Sequence, residues 1–135
     1  MFATLLYIEL DGSTGRLTMA NAGHLPPLIK KANGSVRKLP TAGSAPLGIL
    51  PTLSFTQQTA SLDPGDTVVL YTDGIIEAMN AREELYGYER FESLIEVSSA
   101  SPEAMKAAIV EDVNRFTGLS PQHDDMTLVC FGAER

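Results

Sequence analysis

Two acidic motifs lie far apart in the chain, Thr72-Asp73-Gly74 and Asp124-Asp125-Met126-Thr127. Each adjoins an apolar, strand-like run. Val68-Val69-Leu70-Tyr71 precedes the first, and Leu128-Val129-Cys130-Phe131 follows the second. A carboxylate at the end of a buried strand is held rigidly and can face a cleft. Asp73 and Asp124 therefore make a candidate half of an oxygen-ligand site for magnesium or manganese, which prefer carboxylate and water oxygens in near-octahedral geometry. Two such ions a few ångströms apart can activate a bridging water and hold a phosphate for in-line attack. Gly74 would let the backbone turn sharply away from the metal. Taken singly, each motif has a plainer reading. Asp before Gly at a strand end commonly makes a turn or caps a helix, here one over 75–79. An acidic pair before a strand is commonly a solvated turn.

Other chemistry-bearing residues offer less. His24, in Asn21-Ala22-Gly23-His24-Leu25, suits a loop histidine bonded to the backbone better than a general acid. His123 beside Asp124 suits an exposed turn better than a proton-transfer group. Ser44 has no nucleophile-elbow context. Tyr86, Tyr88 and Phe91 suit core and rim packing. The single cysteine, Cys130, sits in an apolar run and excludes a disulfide framework. With two histidines in the chain, a zinc site is disfavoured.

The elements that must position these residues follow from periodicity and turn chemistry. Residues 2–10 and 16–20 flank a turn cluster at 11–15 and predict a β-hairpin. Residues 21–24 read as a loop. A second hairpin is predicted where 26–31 and 35–39 flank Ala32-Asn33-Gly34. The Pro- and Gly-containing stretch at 40–52 reads as a surface loop, and 54–62 as a strand. Asp63-Pro64-Gly65-Asp66 makes a turn, because Pro presets one dihedral and Gly takes the left-handed one. A central strand follows at 67–71. Helices are predicted over 89–97 and 102–116. The second has Ser101 as its cap, Pro102 at its first position and Gly118 at its end. Met105, Ala108, Ile109, Val113 and Phe116 form its apolar face. A last strand spans 126–131. Strands, then helices, then a return strand make an α+β arrangement with helices on a mainly antiparallel sheet.

Bulk properties narrow the function classes. A chain of 135 residues is one domain at most, and 44% apolar with 20% charged residues is the composition of a globular protein. The net charge of -7 argues against nucleic-acid binding, which needs a basic face. No apolar run approaches the ~18 residues of a membrane span. The N-terminus lacks the pattern of a signal peptide, so a cytoplasmic protein with no membrane partner is expected.

Six blocks in order carry a family resemblance. They are Asn21-Ala22-Gly23-His24, Ala45-Pro46-Leu47-Gly48-Ile49, Leu62-Asp63-Pro64-Gly65-Asp66, Leu70-Tyr71-Thr72-Asp73-Gly74-Ile75-Ile76-Glu77-Ala78, Tyr86-Gly87-Tyr88-Glu89-Arg90-Phe91 and Gln122-His123-Asp124-Asp125-Met126-Thr127-Leu128. Together they resemble the SpoIIE/RsbU-type serine phosphatases, a branch of the metal-dependent, type 2C-like protein phosphatases. The resemblance implies a β-sandwich flanked by helices and a binuclear Mn2+ or Mg2+ centre. It implies hydrolysis of phosphoserine or phosphothreonine on a protein without a covalent phospho-enzyme. The implied substrate is a phosphorylated anti-sigma-factor antagonist in partner-switching control of a sigma factor. Asp73 and Asp124 fall on metal-ligand positions of the family, with Gly74 and Asp125 in supporting roles.

The family's Gly-Asp-Phe-Tyr-Asp-like and Gly-Asp-Val-Ser-Gly-His-Gly-like blocks, which supply the bridging aspartate and further ligands, do not occur in this sequence. Residues 1–135 are thus expected to be a single, partial domain of this kind, lacking the N-terminal part and inactive alone. An exposed strand edge and an uncovered apolar face would follow, and self-association could cover them. The alternative reading is a non-catalytic regulatory or protein-binding module on a degenerate phosphatase scaffold. The absent blocks favour that alternative, and retention of both Asp73 and Asp124 counts against it.

Overall fold

The structure, a computed structural model, describes residues 1–40, 42 and 44–134. Strands β1 (Leu5–Asp11) and β2 (Arg16–Ala22) form the first hairpin, in register from Leu5↔Ala22 to Asp11↔Arg16. The Asp11 carboxylate closes its turn by accepting from the Ser13 backbone N–H at 2.9 Å and the Ser13 hydroxyl at 2.6 Å. Strand β2 runs on through Asn21 and Ala22, which the sequence assigns to a loop. Both residues are buried, and burial overrides the turn preference of the asparagine. The second hairpin pairs β3 (Leu28–Lys30) with β4 (Val36–Lys38). Strand β5 is confined to Gln58–Ser61, where it pairs with β2, and residues 54–57 lie outside it. The expected loop at 40–52 holds no named strand among its described residues; positions 41 and 43 lie outside them.

Strand β6 (Thr67–Tyr71) is central. It pairs antiparallel with β3 on one side and with β7 (Leu128–Gly132) on the other. The result is two antiparallel sheets, ordered β1-β2-β5 and β4-β3-β6-β7. The helices α1 (Asp73–Ile76), α2 (Tyr88–Val97) and α3 (Pro102–Thr117) come late in the chain. Two separate apolar clusters define the layers. Leu17 and Met19 of β2 meet Ile29 and Val68 between the sheets. On the opposite face of the second sheet, Leu28, Val69 and Tyr71 meet Phe91, Ile95, Met105, Ile109 and Val113 of α2 and α3. The order is therefore sheet, sheet, helices. It explains why the 67–71 run is apolar without alternation: β6 is covered on both faces.

Helix α3 begins and ends where its sequence signals lie. The Ser101 hydroxyl accepts from the Ala104 N–H at 3.4 Å, Pro102 is the first helical residue, and Gly118 closes the end at φ 57°. Helix α2 is tied to the sheet by a buried cation. The Lys30 ammonium donates to the Gly34 carbonyl at 2.8 Å and to the Glu96 carbonyl at the end of α2. No helix among the described residues is long and apolar enough to cross a membrane.

The 63–66 turn is locked to the 30–36 hairpin by a buried acid. Asp66 is 1% exposed. Its carboxylate accepts from the Ala32 N–H at 2.9 Å, the Asp63 N–H at 2.9 Å and the Lys31 ammonium. Burial pushes the Asp66 carboxyl up, but the Lys31 charge and these donors outweigh it and hold it below the usual carboxylate range. Its stabilisation is thus fully present above an unfolded-state value of about 3.9 and is lost as pH falls through the lower folded value. Replacing Asp66 by Ala should cost about 2–4 kcal/mol at pH 7, because two backbone donors lose their acceptor. Urea unfolding followed by circular dichroism should show that deficit shrinking below about pH 4.

Candidate metal centre

The site is built where β6 ends and β7 begins. Because the two strands are antiparallel, Tyr71 at the end of one stands opposite Leu128 at the start of the other. Thr72 and Thr127 extend the ladder by one step. The Thr72 N–H donates to the Thr127 carbonyl at 3.1 Å, and the Thr127 N–H donates to the Thr72 hydroxyl oxygen at 3.0 Å. The Thr72 hydroxyl also reaches the Asp125 carbonyl at 3.4 Å. Beyond this closure the chain turns into α1 on one side and arrives from the 118–126 segment on the other. Two carboxylates distant in sequence are thereby neighbours in space.

Asp73 and Asp124 each place one carboxylate oxygen, together with one from Glu77, in a group whose members all lie within 4.8 Å of one another. Glu77 joins because its N–H donates to the Asp73 carbonyl at 2.8 Å, so the two residues stack one helical turn apart. All three side chains are exposed and open to water ligands. Oxygens around one magnesium at about 2.1 Å lie about 3–4 Å apart. Exposed side chains can close the remaining gap by small rotamer adjustments. An all-oxygen, all-carboxylate donor set fits magnesium or manganese rather than a metal that prefers nitrogen or sulfur.

The helix begins one residue earlier than a cap at Asp73 would require. Thr72 is the N-cap, without a side-chain capping bond, and Asp73 is the first helical residue. The helical turn covers Asp73–Ile76 rather than 75–79. This shift is why Glu77 escapes a reading in which Asp73 stands outside the helix. The signal that would have found it is the four-residue spacing of two acids.

Gly74 has a different reason from the sharp turn expected of it. Among the described residues it is absent from the positive-φ glycines. Its place is dictated by a close approach: a Cβ there would lie 2.1 Å from the Asp125 carbonyl oxygen and 2.9 Å from its carbon. Asp125 takes part through its backbone. Its N–H donates to Oδ1 of Asp124 at 2.8 Å and its carbonyl faces Thr72 and Gly74, whereas its carboxylate lies outside the acidic group. Gln122 adds a bond from Nε2 to the Asp124 carbonyl at 2.8 Å.

The remaining sequence candidates stand apart from this chemistry. The His24 ring Nδ1 lies 2.9 Å from the Leu25 carbonyl, and its backbone N–H donates to Asn21 Oδ1 at 2.7 Å. His123 is exposed beside Asp124. Cys130 is half-buried against the helix-side core, where burial pushes its thiol up to about 11. Tyr86 and Phe91 are buried in that core. A cleft of about 550 Å³ opens beside the carboxylates, between α1, the 79–85 segment and the 118–126 segment.

The arrangement of two sheets with helices on one face is the fold of solved PP2C phosphatase domains. The SiaA-PP2C domain of Pseudomonas aeruginosa superposes with a TM-score of 0.80 at 23% identity, over 97% of this chain and 52% of that one. The sequence model of Stage II sporulation protein E (SpoIIE) matches residues 1–134, and the chain belongs to that family. Protein IcfG of Synechocystis sp. is 35% identical over 130 residues, which are 96% of this chain and 20% of that protein. Phosphoserine phosphatase RsbP of Bacillus subtilis is 32% identical over 76 residues, 56% of this chain and 19% of that protein. The chain spans about a fifth of the length of these curated relatives.

Gly74→Ala should force the 72–77 and 124–127 segments apart. The expected result is a loss of manganese affinity of about tenfold or more, read by isothermal titration, with a stability cost of about 1–3 kcal/mol. Gly12→Ala, at a position where a Cβ meets nothing within 4 Å, should leave both unchanged.

Proposed function

We propose that the protein acts in metal-dependent hydrolysis of phosphoserine or phosphothreonine on a protein substrate. The observation that carries this reading is the meeting of Asp73, Asp124 and Glu77 at one end of the β6–β7 pair. Similarity to RsbP, a phosphoserine phosphatase, supports the substrate class. Asp73 and Asp124 would hold Mn2+ or Mg2+, with Glu77 as a third carboxylate donor. When bound, the ion supplies Lewis-acid polarisation of a phosphoryl oxygen and a more acidic water. The chain's own contribution is positional. The Thr72–Thr127 closure and the Gly74–Asp125 contact hold the carboxylates at one spacing, and the adjoining cleft receives the polypeptide that carries the phosphate. We read the substrate as a phosphorylated anti-sigma-factor antagonist, met in the cytoplasm, as the family resemblance implies.

The three clustered carboxylates suffice for one ion, whereas the family's chemistry uses two. Residues 1–135 are in this reading a single partial domain with one weak site and little turnover alone. A regulatory module on the same scaffold is the second reading; the clustered carboxylates favour the first, because a binding module has no chemical need of them. Isothermal titration should find one weak manganese site, weakened about tenfold or more by Asp73→Asn or by Asp124→Asn. Affinity unchanged in Asp124→Asn would overturn the assignment. Robust hydrolysis of p-nitrophenyl phosphate by the chain alone would overturn its expected inactivity.

A second copy of the chain is a further proposed partner. Leu5 and Tyr7 of β1 are 52% and 56% exposed, and Phe55, which lines the same hollow as Tyr7, is 48% exposed. These exposed apolar side chains lie on and beside the edge strand β1, among Glu9, Asp11, Arg16 and Thr18, and an open edge with exposed apolar groups favours association. Light scattering at micromolar concentration should report a dimer that Tyr7→Asp converts to monomer.

A further inference from the structure

We infer that the cleft beside the carboxylates selects substrate by an apolar residue flanking the phosphoserine, with Leu85 as the selecting side chain. This rests on the phosphatase reading above. The cleft is continuous with the candidate metal centre, since Glu77 and Asp124 both line it. One of its walls is a tight hairpin. Met79 and Leu85 bridge its two arms, and Asn80 Oδ1 accepts from the N–H groups of Arg82 at 2.9 Å and Glu84 at 3.0 Å. The pairing continues toward α1, where the Tyr86 N–H donates to the Ala78 carbonyl at 2.7 Å and the Gly87 N–H to the Ile76 carbonyl at 2.8 Å. Glu83 is held at φ 61°, in the left-handed region that non-glycine residues seldom adopt.

This wall is also braced from behind. The Tyr86 hydroxyl donates to Asp112 Oδ2 on α3 at 2.7 Å, and Arg90 binds both Asp112 oxygens at 2.9 and 3.0 Å. Leu85 is nevertheless 55% exposed and lines the cleft. A rigid segment thus presents an apolar side chain to solvent beside a reactive centre, and such preorganisation lowers the cost of binding.

Charge disfavours an acidic occupant. Glu77 and Asp124 are the charged residues lining the cleft, and no lysine or arginine joins them among the described residues. In the metal-free chain an acidic flank would be repelled by these two carboxylates. Met79, Leu85 and Met126 offer apolar surface among neutral polar side chains such as Asn114 and Gln122. The occupant is therefore an extended segment of the substrate protein with apolar residues next to its serine.

The test uses two fluorescent, unphosphorylated serine peptides with the full chain in EDTA. Both flanking positions on each side are Leu in one peptide and Glu in the other. Anisotropy should show the Leu peptide bound about tenfold more tightly. Leu85→Lys should bring the ratio to one or reverse it, and taking the ratio within one variant removes any general damage to the cleft. Equal affinities for the wild type, no binding of either peptide, or an unchanged ratio in Leu85→Lys would each overturn the inference. Manganese binding is read separately, so a failed peptide preference with intact carboxylate-dependent metal binding overturns this inference and leaves the phosphatase reading standing.

Discussion

The antiparallel pairing of β6 with β7 is the constraint on which the rest depends. It sets Tyr71 against Leu128, and everything at the acidic end follows from that register. A slip of one residue would turn Val69 and Tyr71 from the helices toward the other sheet and separate Thr72 from Thr127. Packing prevents the slip from both sides. Val68 is fully buried between the sheets and Val69 fully buried beneath the helices, so neither face of the strand tolerates the other's side chains.

The helix layer serves the same end. Phe91 packs on Tyr71 with ring centroids 4.6 Å apart, which seats α2 over the terminal residue of β6. Tyr86 meets Phe116 edge-on at 5.4 Å, and Arg90 lies over both rings while it binds Asp112. Arg90 holds the Asp112 carboxyl below the usual range, although burial opposes this. Hydrophobic contact, cation–π contact and a bidentate ion pair thus converge on the segment that follows the Asp73–Glu77 turn. Asp73 and Glu77 stand on the backbone braced in this way, whereas Asp124 lies in the exposed segment before β7.

Much of the fold was legible in local chemistry. The Asp11–Gly15 and Ala32–Gly34 turns, the 63–66 turn, the Ser101–Pro102 helix start and the Gly118 stop each have a mechanism that acts within a few residues. The nearly all-apolar run at 67–71 announced a central strand. Misreadings arose where tertiary contacts decide. Asn21 and Ala22 look like a loop until burial draws them into β2, and residues 54–57 look like strand but have no partner in register. For the candidate site, Asp73 and Asp124 could be singled out because each stands next to an apolar strand. Glu77 could not, because its role depends on whether Asp73 lies inside the helical turn, a matter of one residue.

The α+β class, the family and two of the three clustered carboxylates can be read from the chain without its fold. All of these reside in short-range periodicity, turn residues and the order of short motifs. That the carboxylates meet is a property of the folded chain, because nothing local to Asp73 reports the position of Asp124. That meeting needs a specific pairing of β6 with β7, and a glycine at 74 so that the backbone can pass against the Asp125 carbonyl. That Leu85 lines the cleft is likewise a property of the folded chain. A long-range contact is the joint outcome of register and packing on two faces, and no single segment of the chain contains it.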